Sequence, residues 1–282
     1  MPSIIACVEM SRAMRAGRIV RDMLLAIDVG NTQTVLGIYR GERLAHMWRV
    51  ATNKAHTGDE LRLKLCGLMQ AEGLSRDMIR GVALASVVPA LTLRWQDASR
   101  AEFGREPYVC TASTAGSLFR TNYANPAEIG ADRVADAVAA QALYGTPVVV
   151  VDFGTATNIE VVDENGMFAG GIIAPGLETG ANALFSHASR LAAIDLVDPR
   201  TAIGGSTEQA VQAGIVYGEA DRVDGLVRRV FAQLGYEATV VATGGLASRV
   251  APLSSTIDRV DPELTLQGLR MLFESHEDTV ER

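Results

Sequence analysis

Lysine is nearly missing from this sequence. Lys54 and Lys64 are the only two in 282 residues. Neither sits in a GxxxxGK[ST] loop, so a Walker A phosphate cradle is excluded. GxGxxG is absent too, which leaves a Rossmann dinucleotide site without support. Cysteine is scarce. Cys7, Cys66 and Cys110 lie far apart and form no CxxC, so the signatures of zinc and thioredoxin-like chemistry are lacking. An odd count of scattered thiols fits a reducing cytosol, with each thiol a small buried hydrophobe. The four histidines, His46, His56, His187 and His276, have no metal-ligand spacing. No apolar run is long enough to span a membrane. A net charge of −7 argues against nonspecific nucleic-acid binding. It still permits an anionic substrate, because a pocket needs only local donors.

What is present favours folded cores. Hydrophobic residues make up 48% and charged residues 21% of a chain long enough for one large domain or two ordinary ones. Residues 1–22 stand apart. They carry Arg12, Arg15, Arg18 and Arg21 without the apolar region of a secretory signal. They read as an extension, disordered or upstream of the true start, with Met23 opening the folded protein.

The stretch LLAIDVGNTQTVLGIY, from Leu24 to Tyr39, places Asp28, Gly30, Asn31, Thr32 and Thr34 between two apolar strands. A hairpin turn explains part of this. The same residues suit a phosphate: Gly30 lets backbone approach an anion, N–H groups and hydroxyls donate, and Asp28 holds a cation or its water shell. VVVVDFGTATNIEVV, from Val148 to Val162, repeats the plan with Asp152, Gly154, Thr155 and Thr157. Two such hairpins in two halves of one chain predict a duplicated domain with a nucleotide between the copies.

Strands at Leu24–Asp28, Thr34–Arg40 and Arg43–Val50 precede a helix over Gly58–Glu72, a strand over Gly81–Val88, a helix to about Phe103 and a short strand near Tyr108–Cys110. A helix over about Ala131–Tyr144 marks the hinge. The second half repeats the order: strands at 148–152, 158–162 and 167–173, a long helical stretch over Thr207–Leu234, a strand over Ala238–Thr243 and a last helix over Leu264–Glu274. A meander followed by strand–helix alternation predicts an α/β architecture with mixed sheets.

Three further segments carry candidate chemistry. TGGLA, Thr243 to Ala247, is either a close strand–helix joint or backbone brought near a phosphate or adenosine. In NPAEIGADR, Asp132 and Arg133 open a helix. Asp132 is a helix-start charge, or a base facing a hydroxyl beside an anion-binding Arg133. A phosphoryl acceptor needs little more than orientation and a proton sink, which one carboxylate supplies. GSTEQA reads as a capping box of Ser206 and Gln209, with Thr207 in the first turn.

DVGNT at 28–32, ASVVP at 85–89, NPAEIGADR at 125–133, DFGTAT at 152–157, GGIIAPG at 170–176, TGG at 243–245 and DPELTLQGL at 261–269 follow one another in the order found in the type III pantothenate kinases. From Met23 onward the chain resembles that family, a branch of the acetate and sugar kinase, Hsp70 and actin superfamily. The resemblance implies duplicated ribonuclease-H-like (actin-like ATPase) domains, 23–137 and 138–282, with mixed sheets flanked by helices and an ATP cleft between them. It implies a cytoplasmic enzyme that phosphorylates pantothenate with ATP, the first step of coenzyme A biosynthesis.

By its matching motifs, the resemblance assigns ATP binding to Asp28, Val29, Gly30, Asn31, Thr32, Gln33, Thr34 and Val35, joined by Thr155. It assigns pantothenate binding to Tyr123, Gly130, Ala131, Asp132, Arg133 and Thr207, with Asp132 the catalytic base. Asp152 matches the ligand of an activating monovalent cation, K+ or NH4+, and Mg2+ accompanies ATP. The implied assembly is a homodimer with the pantothenate pocket at the interface, without nucleic acid or membrane. Departures lie around Gly180, Leu191–Ala192 and Asn158, away from Asp132 and Arg133. Two rivals remain at this stage. One is a noncatalytic nucleotide-binding transcriptional accessory protein, against which the intact Asp132–Arg133 pair argues. The other is a kinase of another small alcohol, against which the GADR loop argues.

Overall fold

The computed structural model describes residues 21–188, 191 and 193–280. The expectation for residues 1–20 lies outside the described residues, as does Ala192. The chain divides into two compact units, Met1–Cys110 with Phe273–Arg282, and Thr111–Leu272.

In the first unit, β1 (Met23–Val29), β2 (Gln33–Arg40), β3 (Arg43–Ala51), β4 (Ile79–Ser86) and β5 (Tyr108–Val109) form one sheet of order β3-β2-β1-β4-β5. β1 runs antiparallel to β2 and parallel to β4. It lies inside the sheet, which is why it reads MLLAIDV and is apolar up to Asp28. Two helices cover one face. α1 (Gly58–Ala71) starts with a complete capping box between Thr57 and Glu60, and buries Leu61, Leu65 and Met69 at a spacing of four. α2 (Pro89–Phe103) starts on a proline and ends on Gly104, whose φ of 68° an L side chain rarely adopts. These side chains and Trp95 close a core on Leu25, Ile27, Leu36, Ile38, Val82 and Leu84. Residues from Phe273 onward belong to this unit. A Cβ at Gly81 would sit 2.1 Å from the Phe273 ring, so glycine is required there.

The second unit repeats the sheet. β6 (Val148–Phe153), β7 (Ala156–Val162), β8 (Phe168–Pro175), β9 (Thr239–Thr243) and β10 (Arg259–Val260) take the order β10-β9-β6-β7-β8. β6 is antiparallel to β7 and parallel to β9, as β1 is to β2 and β4. Its helices are α3 (Ala131–Tyr144), α4 (Leu177–His187), α5 (Thr207–Gln212), α6 (Gly218–Leu234), α7 (Ala247–Val250) and α8 (Leu264–Val280), the last leaving this unit at Phe273. The two faces of this sheet differ. Val149, Val151, Phe153, Ile159 and Val161 close an apolar core with α4, α6 and α7. The alternate residues Asp152, Asn158 and Glu160 point the other way, on the side where α3 packs against β6 and β7.

Most strand and helix positions agree with the sequence reading to within a few residues, and β10 was not expected. The expected domain boundary at 137/138 falls inside α3, whereas the compact units divide after Cys110 because α3 packs on β6 and β7. The long helical stretch expected over 207–234 is present, with a π-helical segment, Ala213–Tyr217, that contains Gly214 and is followed by Gly218. The final helix runs to Val280 rather than Glu274.

Candidate active site

The first hairpin is built by a tight backbone turn. Gly30 N–H donates to the Gln33 carbonyl at 3.0 Å. A Cβ at Gly30 would lie 2.9 Å from that same oxygen, so the turn demands glycine. Asp28 pairs with Val35 across the ladder, and Val29 with Thr34. Val29 is buried and Val35 half-buried, while Asn31, Thr32 and Gln33 form the exposed tip. Thr34, an expected phosphate donor, faces Thr52 at the end of β3. It is buried, and its hydroxyl lies 2.8 Å from that of Thr52, so it braces the hairpin against the end of β3. Sequence reasoning missed Lys54. Its ammonium donates to Asn31 Oδ1 at 3.2 Å. The signal was available in the register: Gln33 pairs with Ala51, which returns the chain after β3 to the tip. Arg94 holds that loop through the Lys54 and His56 carbonyls, at 2.8 and 2.7 Å.

The second hairpin follows the plan with a turn one residue shorter. Gly154 N–H donates to the Ala156 carbonyl at 3.0 Å, and Phe153 pairs with Thr157 as Val29 does with Thr34. Thr157 is buried and its hydroxyl donates to Glu219 at 2.6 Å. Thr155 is exposed, and its carbonyl accepts the Thr179 hydroxyl at 2.6 Å. Gly176 gives the turn room, since a Cβ there would meet the Gly154 carbonyl at 2.3 Å. Gly244 of the TGG motif has φ 89°, and a Cβ there would lie 2.2 Å from Asp152 Oδ1. Close packing against the end of β6 therefore accounts for this glycine.

Asp132 and Arg133 sit in the first turn of α3. The N-cap is Gly130, not Asp132. Asp132 Oδ1 accepts the Arg133 N–H at 2.8 Å. Ala131 is buried, and Asp132 is partly exposed. Arg133 is only 7% exposed. Its Nε donates to Glu160 Oε1 at 3.2 Å, and its guanidinium lies 5.3 Å over the Phe168 ring. The Tyr123 ring lies 5.8 Å from the same phenyl ring, so Phe168 joins Tyr123 to Arg133. Phe168 and Glu160 are the second and third residues that sequence reasoning missed. Tyr123 is placed by its segment, where Phe168 N–H donates to the Arg120 carbonyl at 2.7 Å and the Thr121 hydroxyl to the Phe168 carbonyl at 3.0 Å. Thr207 is exposed in the first turn of α5, and no hydrogen bond joins it to Asp132, Arg133 or Tyr123. The capping box there is half formed. Ser206 Oγ accepts the Gln209 N–H, but Gln209 Oε1 reaches the Gly205 N–H instead of that of Ser206.

Four carboxylates, Asp132, Asp136, Asp152 and Glu160, act on one another here, and Arg133 acts on Asp132 and Glu160. Burial pushes Asp132 up, against the pull of the Arg133 N–H and charge. Burial and the Asp132 charge push Asp152 up to about 7. Burial and the charges of Asp152 and Glu160 hold Asp136 well above the usual carboxylate range. Burial pushes Glu160 up to about 8, with Arg133 opposing and Asp152 and Asp132 adding to the rise. Asn158 Oδ1, on the residue paired with Asp152, is buried without a hydrogen-bond partner. Among the described residues, no three His, Cys, Asp or Glu side chains are grouped to hold a metal ion.

A sheet of one order built twice, with a carboxylate near the end of the first strand of each copy and a glycine turn after it, is the actin-like fold. The solved structure of component A of (R)-2-hydroxyglutaryl-CoA dehydratase from Acidaminococcus fermentans shares this fold. It aligns with a TM-score of 0.55 at 16% identity, over 92% of this chain and 99% of its own. The family model for type III pantothenate kinase matches residues 24–229. Two curated relatives carry that name. The protein of Moorella thermoacetica is 46% identical over 89% of this chain and 99% of its own length. That of Frankia alni is 47% identical over 90% of this chain and all of its own length. The chain belongs to the type III pantothenate kinase family.

Proposed function

We propose that the chain transfers the γ-phosphoryl group of ATP, bound as its magnesium complex, to the hydroxyl of pantothenate, opening coenzyme A biosynthesis in the cytoplasm. The observation that carries this reading is the pair at the start of α3. A raised, partly exposed carboxylate, Asp132, is followed by a nearly buried guanidinium, Arg133, stacked on the ring that also meets Tyr123. Asp132 orients the acceptor hydroxyl and takes its proton. A carboxylate lifted towards neutrality is the better proton acceptor at neutral pH. Arg133 holds the acceptor's anionic group, and Gly130, Ala131, Tyr123 and Thr207 complete the acceptor's contacts. Asp28–Val35 and Thr155 bind ATP through turn N–H groups and the Thr32 and Thr155 hydroxyls, with Asp28 beside magnesium through water. Phosphoryl transfer asks for positioning and charge stabilisation more than covalent help, which this donor set supplies.

The residues around Asp152 fit a monovalent cation, K+ or NH4+. Crowded carboxylates favour added positive charge there, and the orphaned Asn158 oxygen adds an acceptor. The cation would be held by Asp152 and would supply positive charge in a protein that has no P-loop lysine. A homodimer with the acceptor pocket at its interface is part of this reading, carried by the family resemblance alone. No helix among the described residues is long and apolar enough to cross a membrane.

The test is ADP release from magnesium ATP, with and without pantothenate, in potassium and in sodium buffer. Release that depends on pantothenate and is stimulated by potassium is expected. Release indifferent to pantothenate overturns the acceptor assignment. Equal rates in the two salts overturn the cation site alone.

A further inference from the structure

Glu160 is fully buried in the middle of β7, and the acceptor reading above gives it no task. Its one hydrogen bond is to Arg133: Oε1 accepts from Nε at 3.2 Å, and Oε2 is buried without a partner. Arg133 mirrors this, with Nη2 buried and unpartnered. These two orphans are the second donor and acceptor of a fork whose first bond is made. A planar guanidinium and a carboxylate complete such a fork by a small rotation. The surroundings permit that rotation and little else. The Phe168 ring covers one face at 5.3 Å. A Cβ at Gly171 would stand 2.6 Å from Nη2 and 2.1 Å from the Ile159 carbonyl, so the strand beside the guanidinium leaves room only because that residue is glycine.

A buried acid that serves one partner is poor evidence of a stability role. Apolar residues of similar volume often replace buried ion pairs without loss. Glu160 also lies amid Asp132, Asp136 and Asp152, whose charges oppose its own ionisation. A fully buried side chain whose hydrogen bond goes to Arg133 is best explained by what it does to that side chain.

We propose, resting on the reading of Arg133 as the residue that holds the acceptor's anionic group, that Glu160 is a positioning residue for phosphoryl transfer. It fixes Nε of Arg133, and so the direction in which the guanidinium meets the acceptor while the adjacent Asp132 meets its hydroxyl. Phe168 and Gly171 form the slot in which the guanidinium is held. Nothing in this role requires Glu160 to be ionised, because a neutral carboxyl or amide oxygen also accepts from Nε.

The experiment is steady-state kinetics of the full chain in three variants. Glu160→Met keeps the volume and removes the acceptor, and its KM for pantothenate is expected to rise about 10- to 100-fold, the loss of a bond to a charged group. Its KM for ATP should not move. Glu160→Gln keeps an acceptor oxygen and should return most of the lost pantothenate affinity. A purely structural role would lower thermal stability and active fraction in both and leave the two KM values alone. If Glu160→Met fails to fold, Glu160→Asp, which withdraws the carboxyl by one methylene, should show the same split between the two substrates. A pantothenate KM in Glu160→Met or Glu160→Asp equal to that of the unaltered chain overturns the proposal. So does a parallel rise in both KM values, or a Gln variant as impaired as the Met variant. Should the unaltered chain itself release no ADP in response to pantothenate, the acceptor reading falls first and this role falls with it.

Discussion

The two hairpins share a backbone and differ in what stands behind it. In both, a carboxylate precedes a glycine turn, and the first paired residue after the turn is a buried threonine. Thr34 bonds the neutral Thr52, whereas Thr157 bonds the buried Glu219. Asp28 has small side chains beside it on β4, where Ala83 and Ala85 are buried. Asp152 has Asp132, Asp136 and Glu160. The duplicated sheet therefore carries two similar glycine turns, and the buried charged side chains gather beside the second. The sheet sets where the backbone donors of each turn point, while the helix laid across the polar face of the second sheet decides which side chains surround its carboxylate.

The comparison is broken most severely at Asp132. Asp132→Asn should keep the fold and ATP binding while kcat falls about 10²–10⁴-fold, the usual cost of a positioned base. Near-normal turnover would reduce Asp132 to a first-turn helix charge. A paired substitution sharpens the contrast between the hairpins. Asp152→Asn should erase most of the difference between potassium and sodium buffers and leave the magnesium requirement alone. Asp28→Asn should do the reverse, raising the magnesium needed for half-maximal rate while keeping the potassium response. If both variants respond alike to both ions, the two carboxylates do not have separate cations.

Much of this was legible in the residues. The repeated Asp-x-Gly-x motif announced the duplicated sheet because a continuous apolar strand ending in the same small polar turn occurs in both halves of the chain. The polar side of β7 was not. NIEVV reads as an ordinary strand, and nothing in its alternation says that Glu160 faces a guanidinium 27 residues earlier. Phe168 was equally silent, since a buried aromatic in a strand looks like core. The same limit hid the contact of Thr34 with Thr52. Sequence spacing shows which residues share an element, whereas the contacts that tune a site cross between elements.

Glycine tests the comparison at smaller cost. At Gly30 a methyl would press on the Gln33 carbonyl at 2.9 Å, whereas at Gly154 the nearest atom lies 3.5 Å away. Gly30→Ala should therefore destabilise by about 1–3 kcal/mol, as overpacking does, and lower Tm by a few degrees. Gly154→Ala should leave Tm unchanged. Its methyl would stand where phosphate oxygens approach the turn, so KM for ATP should rise instead. Loss of stability in Gly154→Ala would mean that this glycine, like Gly30, serves the turn itself.

The smallest expected effect separates the hairpins by charge. The first has a cation at its tip, Lys54, held to Asn31 at 3.2 Å in solvent. An exposed charge is worth roughly 0.2–1 kcal/mol, so Lys54→Met should raise KM for ATP by about 1.5- to 5-fold and leave kcat and the pantothenate KM unchanged. Because exposed charges are screened, the difference between Lys54→Met and the unaltered chain should shrink as ionic strength rises. Salt must be varied with potassium held fixed, so that any occupancy of a cation site at Asp152 stays constant. A difference that persists at high salt would place the ammonium against the phosphates in a sheltered position, and the first hairpin would then carry its own counter-charge as the second is proposed to do.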